Sequence, residues 1–114
     1  MEEKVRTLFY FKHYFLEFYE ELPVKVQKKF DYVLKLIQYA ERVPEKFLKH
    51  IEGTKGLYEI RVEYGSNIFR VFCCFDEGKL IVFFNGFQKK SQKTPKNEIQ
   101  TAEDLMQTYF EEKI

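Results

Sequence analysis

A chain of 114 residues that is 45% hydrophobic, 18% aromatic and 32% charged has the apolar surface for one core and too little length for two. Its 5 glycines, its 3 prolines and the lack of any long apolar run exclude collagen-like, disordered and membrane-spanning classes. A net charge of +1 excludes a body that holds nucleic acid by bulk electrostatics. One domain, 1–114, is expected. The start Met1-Glu2-Glu3-Lys4 lacks the apolar stretch of a secretory signal, so the expected location is the cytoplasm.

In chain order, Val5 to Phe11 is β-branched and aromatic and predicts a first strand. His13 to Glu21 predicts a short helix that Pro23 interrupts. From Val24 onward, Val26, Phe30, Val33, Leu34, Ile37 and Ala40 recur at steps of 3 and 4, which predicts an amphipathic helix ending by Pro44. Glu45 to Ile51 is read as one or two further helical turns ahead of Gly53 and Gly56. The period then changes to 2, and Leu57–Tyr64, Ile68–Phe75 and Lys79–Phe87 predict a three-stranded antiparallel meander. Gln88 to Lys93 predicts a loop. Thr94-Pro95 then supplies a cap and first position for a last helix with Ile99, Ala102, Leu105, Met106, Tyr109 and Phe110 on one face.

The adjacent Cys73 and Cys74 point to opposite faces of a strand, so they are read as buried small hydrophobes rather than a disulfide. No metal-ligand spacing is present, and no cofactor is implied. His13 and His50 lie outside the meander, with no paired acid or base in view.

Side-chain alternation assigns the two faces of the meander. Tyr58, Ile60, Val62 and Tyr64 form a core face; Glu59, Arg61 and Glu63 lie on the other. Matching the uniformly apolar sets requires an even loop in the first hairpin, which puts Arg61 and Arg70 together on the second face. With Glu77-Gly78 as a two-residue turn, Asp76 pairs with Lys79 and Arg70 with Asn85. Leu80, Val82 and Phe84 then join the core, and Ile81, Phe83, Asn85 and Phe87 join the second face. That face gathers Arg61, Arg70 and Asn85, with Lys89 next if the strand continues, among Phe72, Phe83 and Phe87, a mixture suited to holding phosphates and stacking bases of single-stranded RNA. The same pattern also fits a face covered by the last helix, each arginine paired to Glu59 or Glu63. Residues 86–97 add four lysines, 89, 90, 93 and 96, and no acid. This run is equally what a solvated loop looks like.

Leu57-Tyr-Glu-Ile-Arg61, Tyr64-Gly-Ser-Asn-Ile-Phe-Arg70-Val-Phe and Phe84-Asn-Gly-Phe-Gln-Lys-Lys-Ser-Gln-Lys-Thr-Pro-Lys96 together resemble toxins of the RelE/ParE superfamily, in its HigB-like, phage-associated branch. The order of elements agrees along nearly the whole chain. The resemblance implies an α+β fold: an antiparallel sheet made of the meander and an N-terminal strand, packed with two N-terminal helices and one C-terminal helix. It implies a type II toxin that cuts mRNA on the translating ribosome by metal-independent attack of a ribose 2′-hydroxyl on the adjacent phosphate. It further implies a cognate antitoxin, of the HigA-like helix-turn-helix kind, as partner.

By the same resemblance Arg61 and Arg70 take the positions of the family's basic residues on the meander, and Lys89 or Lys90, with Lys93, those of its basic segment, which makes these five the catalytic candidates; the face reading puts Phe72, Phe83, Asn85 and Phe87, with Lys96 of the lysine run, along the RNA. The departure is in acid–base groups. Several members use a histidine or tyrosine near the C-terminal end, and here only Tyr109 and the lysines stand there. A ParE-like toxin that binds DNA gyrase without catalysis, or a defective phage remnant, shares the fold.

Overall fold

The computed structural model describes residues 3–89 and 95–113. Three helices sandwich a five-stranded sheet of order β1-β5-β4-β3-β2. The strands are β1 (Thr7–Tyr10), β2 (Leu48–His50), β3 (Leu57–Tyr64), β4 (Asn67–Asp76) and β5 (Leu80–Lys89); the helices are α1 (Tyr14–Glu20), α2 (Val24–Tyr39) and α3 (Lys96–Glu112). The α+β class and the three expected helices are present. The sheet is mixed, however, because β1 lies parallel to β5, with Thr7 opposite Leu80. No helix among the described residues is long and apolar enough to cross a membrane.

The long amphipathic repeat forms α2, whose Val26, Phe30, Val33, Leu34 and Ile37 are buried. It stops at Tyr39, several residues before Pro44. Its last turn carries no basic side chain of its own. Arg6 serves instead: Nη1 donates to the carbonyls of Ile37 (3.1 Å) and Ala40 (2.7 Å), and Nη2 to that of Glu41 (2.8 Å). A cation at these exposed carbonyls satisfies them and complements the negative end of the helix dipole.

The stretch read as extra helical turns departs from expectation. A single turn closes at Pro44, with Phe47 N donating to its carbonyl at 2.9 Å, and then β2 pairs antiparallel with β3. The open edge of β3 offers hydrogen-bond partners that local propensity does not register.

Two apolar layers result. On one side α1 and α2 cover Ile60, Val62, Phe69, Val71, Cys73, Ile81 and Phe83; on the other, α3 covers Leu57, Phe72, Cys74, Val82 and Phe84. The expected faces of β5 are therefore exchanged over residues 80–84. The turn holds three residues, Glu77-Gly78-Lys79, with φ of 49° at Glu77 and 79° at Gly78, so Asp76 pairs with Leu80 instead of Lys79. One extra turn residue inverts every side chain that follows it. A bulge restores the parity: Phe84 and Asn85 together oppose Phe72, and beyond them Val71 pairs with Gly86 and Arg70 with Phe87. Gly86 sits where a Cβ would come within 2.5 Å of the Phe18 ring, so α1 packs directly on the backbone of β5.

Both cysteines are buried and free. Burial pushes the Cys73 thiol well above its ordinary value and the Cys74 thiol up to about 12.

Candidate functional site

The register of the sheet arranges the charged face in three rows. Lys49, Glu59 and Phe72 form the first, Arg61, Arg70 and Phe87 the second, and Glu63, Ile68 and Lys89 the third. Directly opposed residues of antiparallel strands share a face, so these side chains converge. Over these rows opens a polar cleft of about 470 Å³, walled by Glu45, Lys46, Lys49, Glu59, Arg61, Ile68, Arg70 and Lys89. Five cations and two carboxylates leave the cleft net positive.

Two arginines placed directly across a strand pair repel each other, and two acids keep them there. Arg70 Nη1 meets Glu59 Oε2 at 2.5 Å, both side chains nearly buried; Arg61 Nη2 meets Glu63 Oε1 at 2.8 Å with both more open to solvent. The pairing anticipated as the purely structural alternative is thus real. Yet it does not saturate Arg70, whose Nε is buried without a hydrogen-bond partner. Lys89 is pulled below the ordinary lysine value by desolvation and by the Arg70 cation, against the opposing pull of Glu59.

The expected aromatic platform is reduced. Phe83 lies on the opposite face, fully buried with its ring 5.1 Å from that of Phe15, because of the three-residue turn. Phe72 is on the expected face but wholly covered and stacked on Phe87 at 5.5 Å. Phe87 alone of the three is partly exposed beside Arg70. Asn85, expected opposite Arg70, occupies the bulge instead, where Nδ2 donates to the carbonyl of Glu98 at 3.3 Å. It tethers the first turn of α3. Lys96 is exposed at the start of that helix, while Lys90 and Lys93, with Thr94 of the expected cap, fall outside the described residues.

Tyr109 is not at the cleft. It is buried, and its hydroxyl donates to Asp76 Oδ2 at 2.6 Å, at the far end of β4 from Arg70 and about 20 Å along the strand at its usual rise per residue. Burial and the Asp76 carboxylate push its hydroxyl up to about 12. Lys113 joins this network through Asp76 at 2.9 Å. Sequence reading missed Lys46 and Lys49, because they reach the cleft only when Leu48–His50 is a strand; the cationic spacing around Phe47-Leu48 was the available signal. Among the described residues no group of His, Cys, Asp and Glu is placed to hold a metal ion.

Residues 17–107 match the family described as phage derived protein Gp49-like (DUF891). The chain belongs to this family, a RelE/HigB-like toxin family. Among solved structures, the Gp49-like chain is similar to one from an archaeal RelE–RelB complex of Pyrococcus horikoshii OT3. The TM-score is 0.55 and the identity 20%, over 77% of this chain and 98% of that one. That likeness establishes a RelE fold for the Gp49-like chain. No curated protein matches it.

Proposed function

We propose that this Gp49-like protein is the toxin of a type II toxin–antitoxin pair and cuts mRNA on the ribosome, in the cytoplasm. The observation that carries the reading is the cleft: Arg61, Arg70 and Lys89 converge there from three adjacent strands. A phosphate that acquires a fifth oxygen gains negative charge, and fixed guanidinium groups stabilise that charge more than they stabilise the starting diester.

In the proposed reaction the 2′-oxygen bonds to phosphorus as its proton passes to a basic side chain. Lys89, with its lowered proton affinity, is the residue assigned to that role. The bond to the 5′-oxygen breaks, and a protonated lysine of the 89–96 run supplies the proton that oxygen takes. Cyclic phosphate and a free 5′-hydroxyl result. Arg61 and Arg70 clamp the phosphate, Phe87 offers a ring edge to a base, and Lys90, Lys93 and Lys96 follow the backbone. The near-neutral body needs the ribosome to position the message, and an antitoxin of HigA-like type restrains the protein.

Inducing the protein and mapping 5′ ends by primer extension tests the reading. Growth arrest with cuts confined to translated regions, abolished in Arg61→Ala, is the expected result. Arrest with gyrase-linked DNA damage and intact mRNA would instead establish a ParE-like binder, and no arrest a defective remnant.

A further inference from the structure

The outward side of α2 has a chemistry that neither the core nor the cleft uses. Lys25, Lys28, Lys29 and Lys35 recur there at helical spacing, and among the described residues none of them makes a salt bridge. The single acid of the helix, Asp31, lies at the flank and accepts the Tyr19 hydroxyl at 2.6 Å. Between the lysines lie apolar groups: Tyr32 is 58% exposed and Val24 65%. Toward the C-terminal end, Tyr32, Leu36, Tyr39 and Ala40 wall a groove of about 480 Å³.

We infer that this face is the docking surface for an acidic amphipathic helix of a partner protein. Aliphatic anchors would fill the groove at Leu36 and Ala40, and flanking carboxylates would meet the four lysines. Charge complementarity fixes the sign of the partner. RNA fits less well, because apart from Lys35 the groove is walled by aliphatic and aromatic side chains, α2 has no arginine fork, and the amide of Gln27 is spent on the Tyr19 carbonyl. A second copy could offer the acids of α3, but that helix lies on the opposite side of the sheet. Such a contact would be head-to-tail and would not close as a dimer.

The placement has a regulatory corollary. The core side of α2 packs on the sheet face opposite Arg61 and Arg70, so an occupied groove leaves the cleft open. Identifying the partner as the antitoxin rests on the toxin reading; the surface itself does not.

The test is fluorescence anisotropy with the whole chain and three probes: an 18-residue helix-forming peptide of leucines at helical spacing among glutamates, the same peptide with lysines for glutamates, and a short oligouridylate. The acidic peptide should bind saturably and weaken as NaCl rises. Lys28→Glu combined with Lys35→Glu should weaken it at least tenfold, and Tyr32→Ala several-fold, with unfolding midpoints unchanged. Equal binding of the lysine peptide, or indifference to the double reversal, overturns the proposal. So does oligouridylate binding that depends on Lys28 and Lys35 while the peptide fails, or self-association lost on the same reversal. A chain that binds the peptide without arresting growth sinks the toxin reading and spares the surface. Arrest without peptide binding does the reverse.

Discussion

The two arginines of the cleft differ in what supports them, and that difference is measurable. Arg70 and Glu59 keep only 11% and 13% of their side chains exposed, against 32% and 53% for Arg61 and Glu63. Arg70→Ala strands the Glu59 carboxylate in a poorly solvated place, which costs about 3 kcal/mol, the lower end for breaking a buried pair. Arg61→Ala removes a screened surface pair, at a cost of about 0–1 kcal/mol. Since each kcal/mol moves the midpoint of a domain this size by roughly 4 °C, Arg70→Ala should lower Tm by on the order of 12 °C and Arg61→Ala by only a few degrees. Adding Glu59→Gln to Arg70→Ala should recover most of the ionic part, because a neutral amide is cheaper to bury than an unpaired charge. Thermal unfolding by circular dichroism at pH 7 reads all four proteins. Equal shifts for the two arginine variants, or no recovery with Glu59→Gln, would refute the electrostatic account. Growth arrest measured beside it separates roles: a double variant that folds but no longer arrests growth, beside a Glu59→Gln single variant that still does, shows Arg70 acting on the target rather than on the fold.

Gly86→Ala would put a methyl group within 2.5 Å of the Phe18 ring, and overpacking of this kind costs about 1–3 kcal/mol, so Tm in a thermal melt should fall, and an unchanged Tm would contradict the close packing of α1 on β5. Asp76 is held below the usual carboxylate range by hydrogen bonds from Lys113 and Tyr109; its contribution is present above the unfolded carboxylate pKa and lost as pH falls through the lowered value. Acid titration of wild type against Asp76→Asn should show this loss only in wild type. Tyr109 has the opposite sign: its hydroxyl must stay protonated, so stability falls as pH rises from the ordinary tyrosine value of 10.0 toward about 12, and Tyr109→Phe should flatten that alkaline limb. Cys73 and Cys74 should resist a thiol reagent until denaturant is added, since both are buried and their thiolates disfavoured; rapid native labelling would contradict the burial.

The parts of the fold legible in the sequence are those decided by periodicity. The β3–β4 register follows from one requirement, that Ile60 and Val62 meet Phe69 and Val71, and it carries Arg61 opposite Arg70 without further assumptions. The β4–β5 register was not legible, because Asp76-Glu77-Gly78 suits a two-residue or a three-residue turn and both strand faces are apolar. Phe83 and Phe84 fit a core on either side, so hydrophobic matching could not choose between them. Phe87 and Lys89 reach the arginine face only because the bulge at Phe84-Asn85 undoes the shift made at the turn. β2 was hidden for another reason: its three residues owe their extended form to the edge of β3, a partner distant in sequence. Lys46 and Lys49 were lost from the expected site with it.

The parallel pairing of β1 with β5 sets an order of assembly. The meander closes through short turns and can form early, whereas β1 must wait for a strand that lies across most of the chain. On the synthesising ribosome β1, made before the meander, is therefore among the last strands of the sheet to find its place. Arg6, immediately ahead of β1, can brace the end of α2 only once β1 has docked. The cationic cleft has a related timing: Arg61, Arg70 and Lys89 lie on strands made after α1 and α2, so a nascent chain that stops short of the end of β5 carries no assembled cleft.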